Sequence, residues 1–239
     1  MIRLENVSKR YGEHLALQNT SLEIPTGKVT ALIGPSGCGK STLLRIIVGL
    51  IESDSGSVSI DGQAVGRNSH LELRRQVGYV IQDGGLFPHL TARENIELMG
   101  RHLGKPVQIE ELSRLTRIDP AMLDRYPLEL SGGQRQRIAL MRALALQPKI
   151  LLLDEPLGAL DPIIRAELQQ DLKAIFAEVN QTVVLVTHDM GEAAFLADTI
   201  VLMREGHIVQ QGTLKEFQES PREPFVTQFL NAQRAVVAL

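Results

Sequence analysis

The sequence has 239 residues, 44% of them hydrophobic, and its 25 Lys and Arg residues against 28 Asp and Glu residues give a formal net charge of −3. This is the composition of a globular protein of about one large domain, and its near-neutral charge argues against nucleic acid as a partner, because binders of the phosphate backbone usually carry a basic excess. One cysteine, no signal peptide and no apolar run near the roughly 20 residues that cross a bilayer indicate a soluble cytosolic chain.

Two kinds of strand are predicted. In residues 1–26 apolar and polar residues roughly alternate, as in half-buried antiparallel strands. Short apolar runs without alternation follow at 29–33, 150–153 and 183–186, which is typical of strands buried on both faces of a parallel sheet. We therefore expect an α/β fold with a mostly parallel sheet flanked by helices and an N-terminal antiparallel β subdomain.

Helical periodicity fills the remaining segments. Residues 88–146 are helical in pattern and too long for an ordinary connection, which predicts an inserted α-helical subdomain. Apolar residues repeat at helical spacing from Ile164 to Val179, with Asp161 as the N-cap and Pro162 at the first helical position. A hairpin is predicted over 201–209, and a short terminal helix follows Pro224.

A glycine-rich loop matches G-x-x-x-x-G-K-[ST] directly after the run 29–33 and before a predicted helix over 42–48. Glycines let consecutive N–H groups face phosphate oxygens, and the helix N-terminus adds a positive field. A turn that merely needs glycine does not explain Lys40 and Ser41, which we expect to bind the β- and γ-phosphates and Mg²⁺. The candidate binding residues are Gly34, Pro35, Ser36, Gly37, Cys38, Gly39, Lys40, Ser41 and Thr42.

Cys38 lies inside this loop and has two interpretations. A helix N-terminus lowers the pKa of a thiol, which would make Cys38 sensitive to oxidation or alkylation. A small residue that simply fits the loop is the other interpretation, and we favour it.

Polar residues follow two of the buried strands. Asp154 and Glu155 end the run 150–153, where carboxylates point into the crevice in which α/β proteins bind ligands. Asp154 is predicted to hold Mg²⁺ through water, and Glu155 to orient or deprotonate the water that attacks the γ-phosphate. His188 follows the run 183–186 and is a candidate contact to the γ-phosphate, although a lone histidine at a strand end is usually structural. Asp189 with Glu192 is typical of a helix N-cap pair.

A second anion site is predicted at residues 130–134, Leu-Ser-Gly-Gly-Gln. Ser131 and Gln134 form a capping-box pattern before a helix with one apolar face. A capped helix alone does not ask for Gly132 and Gly133, where each glycine costs up to about 1 kcal/mol. The glycines open the N-terminal N–H groups to a ligand that comes close, and an anion is the natural candidate.

In this order the phosphate loop, the LSGGQ segment, the acidic pair and the histidine closely resemble the nucleotide-binding subunits of ABC transporters, from Met1 to about Asn231. The resemblance implies an ATPase that uses MgATP and works as a head-to-tail dimer. Each ATP would lie between the phosphate loop of one copy and the LSGGQ helix of the other. It also implies a single domain, with a core at 1–87 and 147–220, a helical signature subdomain at 88–146 and a tail at 221–239.

The resemblance also assigns roles to residues outside these motifs. Tyr11 would stack on adenine, although an aromatic residue in a half-buried strand is an equal alternative. Gln82 matches the glutamine that senses Mg²⁺ and the γ-phosphate, so Ser41, Gln82 and Asp154 are the metal candidates. Residues 159–161 match a loop that crosses the dimer interface, where Asp161 would bind the nucleotide site. Leu86 and Phe87 fall in the region that receives the membrane subunit, or belong to a small satellite core.

Within the family the segments 77–82, 85–89 and 126–127 look like those of importer ATPases, most similarly the quaternary-amine group for glycine betaine, choline and carnitine. The implied partners are a second copy, membrane-spanning permease subunits and, indirectly, a substrate-binding protein, with the chain peripheral on the inner face of the membrane. The alternative is a soluble ABC-type ATPase in iron–sulfur cluster assembly or in another role outside transport. A simple P-loop kinase leaves LSGGQ unexplained, and relatives in DNA repair carry long coiled coils that this sequence lacks.

Overall fold

The computed structural model describes residues 1–66, 70–158 and 160–237. Its contacts divide the chain into two compact units. The first combines Met1–Leu73 with Thr182–Leu239, and the second is Arg74–Gln181. The subdomain boundaries expected from the sequence stay a prediction.

The strands of the structure include all three of the expected apolar runs. In the first unit they are β1 (Ile2–Tyr11), β2 (His14–Ile24), β3 (Val29–Ile33), β4 (Ser55–Ile60), β5 (Gln63–Ala64), β8 (Thr182–Val186), β9 (Thr199–Arg204) and β10 (His207–Gly212). In the second they are β6 (Val77–Val80) and β7 (Ile150–Asp154).

Helices occupy the predicted segments and two that the sequence did not indicate, α2 and α8. The first unit and its boundary hold α1 (Lys40–Ile47), α2 (His70–Arg74), α7 (Met190–Leu196), α8 (Leu214–Glu219) and α9 (Pro224–Val237). The second unit holds α3 (Ala92–Leu103), α4 (Ile109–Thr116), α5 (Gly132–Leu144), α6 (Pro162–Val179) and short 3₁₀ helices at Pro120–Met122 and Pro127–Glu129.

The first unit contains two sets of strands. An antiparallel sheet has the order β2-β1-β4-β5, and buried and exposed residues alternate from Thr20 to Ile24 of β2, as predicted. In the other set β3 pairs in parallel with both β8 and β9, and β10 joins β9 as the predicted antiparallel hairpin. Every residue of β3 and β8 is buried, as the apolar runs without alternation predict. The core beneath β3 and β9 is completed by Phe217 of α8 and Val226 of α9, both fully buried.

In the second unit β6 and β7 pair in parallel, and the helical segment predicted at 88–146 is helical with no strand among its residues. The α/β fold with a mostly parallel sheet and an antiparallel N-terminal sheet is confirmed. No helix in the described parts of the chain combines the length and apolar character needed to span a bilayer.

Candidate nucleotide-binding site

The loop between β3 and α1 has a backbone that only glycine adopts without strain. Gly34, Gly37 and Gly39 have φ angles of 143°, 79° and 108°. A Cβ added at Gly34 would lie 2.1 Å from the carbonyl oxygen of Met203, and one at Gly39 would lie 2.4 Å from that of Ala16. Both contacts are with backbone that cannot move aside cheaply, so two of the three glycines are fixed by packing as well as by conformation.

Lys40 begins α1 and is only 5% exposed. Its ammonium group donates to the carbonyl oxygens of Gly34 at 2.8 Å and Pro35 at 3.0 Å. The loop thus wraps around a buried cation at the N-terminus of a helix, while Pro35, Ser36 and Gly37 are exposed at its rim. Ser41 and Thr42 are half-buried in the first turn. A buried cation, a helix N-terminus and a glycine backbone together suit a phosphate group.

Cys38 is buried, with its Sγ 3.6 Å from Nζ of Lys40. Burial raises the pKa of the Cys38 thiol, and this effect outweighs the lowering by the nearby Lys40. A thiol that stays protonated reacts slowly with oxidants and alkylating agents. The structure therefore supports the interpretation of Cys38 as a small residue that fits the loop.

A turn far away in the sequence braces the phosphate loop. Gly206, between β9 and β10, donates its N–H to the carbonyl oxygen of Cys38 at 3.1 Å. Its own carbonyl oxygen accepts from the N–H of Gln18 at 3.0 Å and from Oγ1 of Thr20 at 2.9 Å. The turn thus joins the loop to β2. Sequence reasoning missed Gly206 and Met203, because a hairpin signal does not say what the turn contacts.

Tyr11 and His188 belong to the same unit as the loop. Tyr11 is the last residue of β1 and is 45% exposed, with Nζ of Lys9 5.8 Å from its ring centroid. His188 is exposed and follows β8, where the N–H of Thr187 donates to the carbonyl oxygen of Leu32 in β3. Because β3 and β8 are parallel neighbours, His188 leaves the sheet at the edge where the phosphate loop begins.

The acidic pair lies in the second unit. Asp154 is the last residue of β7 and is 4% exposed, and Oη of Tyr79 donates to its Oδ2 at 3.4 Å. Glu155 has a φ angle of 48°, a left-handed conformation that costs a residue with a side chain about 1 kcal/mol or more. Such strain at a carboxylate that follows a buried strand is typical of a functional position.

The predicted capping box at the start of α5 is confirmed. The N–H of Gln134 donates to Oγ of Ser131 at 3.2 Å, and Oε1 of Gln134 accepts from the N–H of Ser131 at 2.9 Å. The structure adds a reason for the glycines that the sequence argument missed. A Cβ at Gly133 would lie 2.6 Å from Cγ2 of Ile164, and one at Gly132 would lie 3.2 Å from Cδ2 of Leu160. Close packing of α5 on the start of α6 thus requires at least Gly133.

One cleft of the second unit brings several of these residues together. Its volume is about 70 Å³, and it is lined by Asp83, Gly132, Arg135, Gln136, Glu155, Pro156 and Leu160. Glu155 and the LSGGQ segment therefore share a cleft with the residue that follows Gln82, and Gln82 itself is exposed. Arg142 of α5 holds the next turn of this loop, donating to the carbonyl oxygens of Gly84 at 2.7 Å and Gly85 at 2.8 Å.

Asp161 is the N-cap of α6, as predicted, and its Oδ1 accepts from the N–H groups of Ile163 and Ile164 at 3.1 and 3.0 Å. Ala159, in the same predicted interface loop, lies outside the described residues. The structure thus places Tyr11, the phosphate loop and His188 in one unit, and Gln82, the LSGGQ segment, Asp154, Glu155 and Asp161 in the other.

Known proteins are similar to this chain in sequence and in fold. The chain is 47% identical over 242 residues to the choline transport ATP-binding protein OpuBA of Bacillus subtilis, covering 99% of this chain and 64% of that protein. It is 49% identical over 236 residues to the sulfate/thiosulfate import ATP-binding protein CysA of Synechocystis, covering 96% and 65%. The chain therefore spans about two thirds or slightly less of the length of these relatives.

Two solved structures are similar to this chain in fold. The dimeric structure of MJ0796, described as a bacterial ABC transporter cassette, matches with a TM-score of 0.80 at 37% identity, covering 90% of this chain and 99% of that one. A dimer of MJ0796 in a post-hydrolysis state, bound to ADP and Pi, matches with a TM-score of 0.79. The family model described as ABC transporter matches residues 17–158. The chain belongs to the ABC transporter family, as an ATP-binding domain.

Proposed function

We propose that the chain binds MgATP between two of its copies and hydrolyses it to drive uptake through a membrane permease. One observation carries the proposal: a single chain holds a phosphate loop around the buried Lys40 and, separately, a capped helix N-terminus opened by Gly132. Two anion sites on one chain suit one triphosphate held from two sides, if the second site comes from another copy. The dimeric structures of MJ0796 support this arrangement.

The phosphate loop would supply most of the binding energy. Lys40 would exchange its bonds to the carbonyl oxygens of Gly34 and Pro35 for bonds to the β- and γ-phosphates. The N–H groups at the start of α1 and the positive end of the helix would add to the field. Tyr11, exposed at the end of β1, would stack on the adenine ring.

The metal candidates fit Mg²⁺ by chemistry. Ser41, Gln82 and Asp154 offer a hydroxyl, an amide and a carboxylate oxygen, and Mg²⁺ prefers oxygen ligands with several waters retained. No group of three or more His, Cys, Asp or Glu side chains in the described residues is arranged to hold a metal without other ligands. Such a site needs the phosphates of the substrate to be complete. Bound there, Mg²⁺ would neutralise charge on the β- and γ-phosphates.

Glu155 and His188 would act on the reaction itself. The oxygen of a water attacks the γ-phosphorus, the bond to the β–γ bridging oxygen breaks, and its electron pair leaves with ADP. Glu155, held in its strained conformation at the cleft, would orient that water and take its proton. His188 would contact the γ-phosphate, and Ser131 with the N–H groups of Gly132 and Gly133 would bind it from the other copy.

The trans arrangement is tested by mixing two inactive variants. Ser131→Arg blocks the LSGGQ site and Lys40→Ala the phosphate loop, so a heterodimer of the two would retain one intact composite site, and each variant alone none. We expect the mixture to regain up to about a quarter of the wild-type ATPase rate, since half the dimers are mixed and each has one site. No recovery above the separate variants, or a rate equal to the wild type, would contradict a site shared between copies.

The transported substrate is tested in cells. We propose an osmoprotectant of the quaternary-amine class, because the segments 77–82, 85–89 and 126–127 resemble those of that group and because relatives for choline and carnitine match over 99 to 100% of this chain. A strain that carries Glu155→Gln should lose uptake of labelled choline, glycine betaine or carnitine while uptake of sulfate is unchanged. Loss of sulfate uptake instead would reject the substrate class. Copurification with a soluble scaffold rather than a multi-span protein would favour a role in iron–sulfur assembly.

A further inference from the structure

The C-terminal end of β1 extends beyond the end of its pairing with β4. Pairing between β1 and β4 runs from Ile2 and Ile60 to Ser8 and Ser55, while pairing between β1 and β2 continues to Tyr11 and His14. The three residues after Ser8 therefore lie beside β2 on one edge, and their other edge is beyond the register of β4. The β1–β2 register also shifts on both sides of Lys9, which marks an irregular strand.

Asp54, the residue before β4, continues the ladder past this point. Its N–H donates to the carbonyl oxygen of Ser8 at 2.8 Å. Its side chain then takes the place of the next strand residue, because Oδ2 accepts from the N–H of Arg10 at 2.7 Å. One exposed acidic residue thus supplies two further bonds to β1, the second of them one residue before Tyr11.

The second carboxylate oxygen binds the neighbouring side chain. Oδ1 of Asp54 lies 2.7 Å from Nζ of Lys9, whose side chain is only 17% exposed. The same Nζ lies 5.8 Å from the centroid of the Tyr11 ring. The hydrogen bonds from Lys9 and from the N–H of Arg10 lower the pKa of Asp54. Asp54 therefore restrains both the backbone and the side chain that flank Tyr11.

The hairpin that carries Tyr11 is also fixed to the phosphate loop. Tyr11 pairs with His14, and Ala16 stands two strand residues further on, about 7 Å along β2. The carbonyl oxygen of Ala16 lies against the space where Gly39 has no side chain. The exposed ring of Tyr11 is thus set at a short distance from the loop that would bind the phosphates of the same nucleotide.

We propose that Asp54 is a positioning residue for the nucleobase, which holds the end of β1 that extends past β4 so that Tyr11 meets adenine. The proposal rests on the function proposed above, in which Tyr11 stacks on the base. Asp54 does not touch the phosphates in this arrangement. Its effect must therefore depend on the base and on Tyr11, whereas a residue that only stabilises the sheet would affect every ligand of the phosphate loop alike.

The test compares two ligands that share a triphosphate. Affinities for MgATP and for magnesium tripolyphosphate are measured by titration calorimetry on the full chain, for the wild type, Asp54→Ala, Tyr11→Ala and the double variant. We expect Asp54→Ala to weaken ATP about five- to tenfold and tripolyphosphate less than about twofold, since this is the lower end of what stacking of a base is worth. The double variant should bind ATP no more weakly than Tyr11→Ala, because Asp54 acts through Tyr11.

A matched control is available in the same sheet. Asp61 is similarly exposed and binds the N-terminal amine of Met1, remote in the register from Tyr11. Asp61→Asn should leave the affinities for both ligands unchanged, and thermal unfolding should show that each variant folds. If Asp54→Ala does not fold, Asp54→Asn removes the charge facing Lys9 and keeps the volume. It should weaken ATP at least twofold with tripolyphosphate unchanged.

The outcomes separate the two proposals. Equal losses for both ligands, no loss of ATP affinity, or additive losses in the double variant would overturn the role of Asp54. A Tyr11→Ala variant that weakens ATP selectively, beside an unaffected Asp54→Ala, rejects this inference alone. If Tyr11→Ala itself affects the two ligands equally, the stacking role in the proposed function fails as well.

Discussion

Asp171 of α6 and Arg137 of α5 form an ion pair in which Oδ2 and Nη1 are 2.5 Å apart. Asp171 is 3% exposed, and its Oδ1 binds Nη1 of Arg117 at 2.6 Å, just beyond the end of α4. Nη1 of Arg137 also donates to the carbonyl oxygen of Thr116 at 2.8 Å. One carboxylate of α6 therefore binds both the end of α4 and α5, the helix that Ser131 caps.

Asp171→Asn should lower the free energy of unfolding by about 3 kcal/mol. The substitution leaves the largely buried guanidinium of Arg137 without its counter-charge, which is the costly way to break a buried pair. Urea denaturation measures the effect. Glu178→Gln on the same helix is the control, because Glu178 and Arg114 are more than half exposed and 3.7 Å apart, a type of pair worth about 0–1 kcal/mol. Equal effects of the two substitutions would contradict the importance of the Asp171 cluster.

Gly133→Ala should destabilise the chain by about 1–3 kcal/mol, although alanine is the better helix former. The added methyl would lie 2.6 Å from Cγ2 of Ile164. In an Ile164→Ala background the same change should be neutral or stabilising, by up to about 1 kcal/mol. Thermal or urea unfolding of the four proteins completes this cycle.

The ATPase rate of Gly133→Ala/Ile164→Ala separates the two reasons for the glycine. If the N–H groups must approach a nucleotide closely, the folded double variant stays far less active than Ile164→Ala. An equal rate would mean that packing alone explains Gly133.

Lys40→Ala should weaken MgATP binding at least about 100-fold, because it removes the buried cation that would bind the β- and γ-phosphates. Nucleotide titration measures the loss. Lys215→Ala, which changes an exposed lysine of α8, is the control for the loss of one positive charge. Retained ATP affinity in a folded Lys40→Ala protein would argue against its role in the phosphate loop.

Glu155→Gln should bind MgATP with nearly wild-type affinity and turn it over about 10²–10⁴ times more slowly, because the amide cannot accept the proton of water. Trapped ATP should then accumulate the dimer, which light scattering detects. Glu167→Gln, at an exposed position of α6, should do neither. A Glu155→Gln protein that remains a monomer in excess MgATP would refute the nucleotide-bridged dimer.

Sequence reasoning reached the elements whose signals are local. The strands β3, β7 and β8 are mostly apolar and show no alternation, and α5 and α6 follow the N-cap residues Ser131 and Asp161 that the sequence displays. It missed β4, whose first three residues are exposed and which is a strand because it pairs with β1. Local patterns carry no information on such pairings.

The same division runs through the candidate site. Lys40, Glu155 and the LSGGQ segment stand in motifs, whereas Gly206 and Ile164 contact those motifs from distant segments of the chain. Asp54 likewise reaches the end of β1, just before Tyr11, from a distant segment. The sequence explains Gly133 by a ligand alone, because it does not show that α5 and α6 pack with the side chain of Ile164 against this glycine.

Because Gly206 donates a hydrogen bond to the carbonyl oxygen of Cys38, a fragment of the chain needs to include Gly206 to keep this support of the phosphate loop. A chain truncated after Asp198 would retain every recognisable motif and the whole segment that identifies the family. It would still lack the turn between β9 and β10 that braces the phosphate loop. Expression boundaries chosen from motifs alone would therefore yield a protein that has all the motif residues but lacks a contact that supports the phosphate loop.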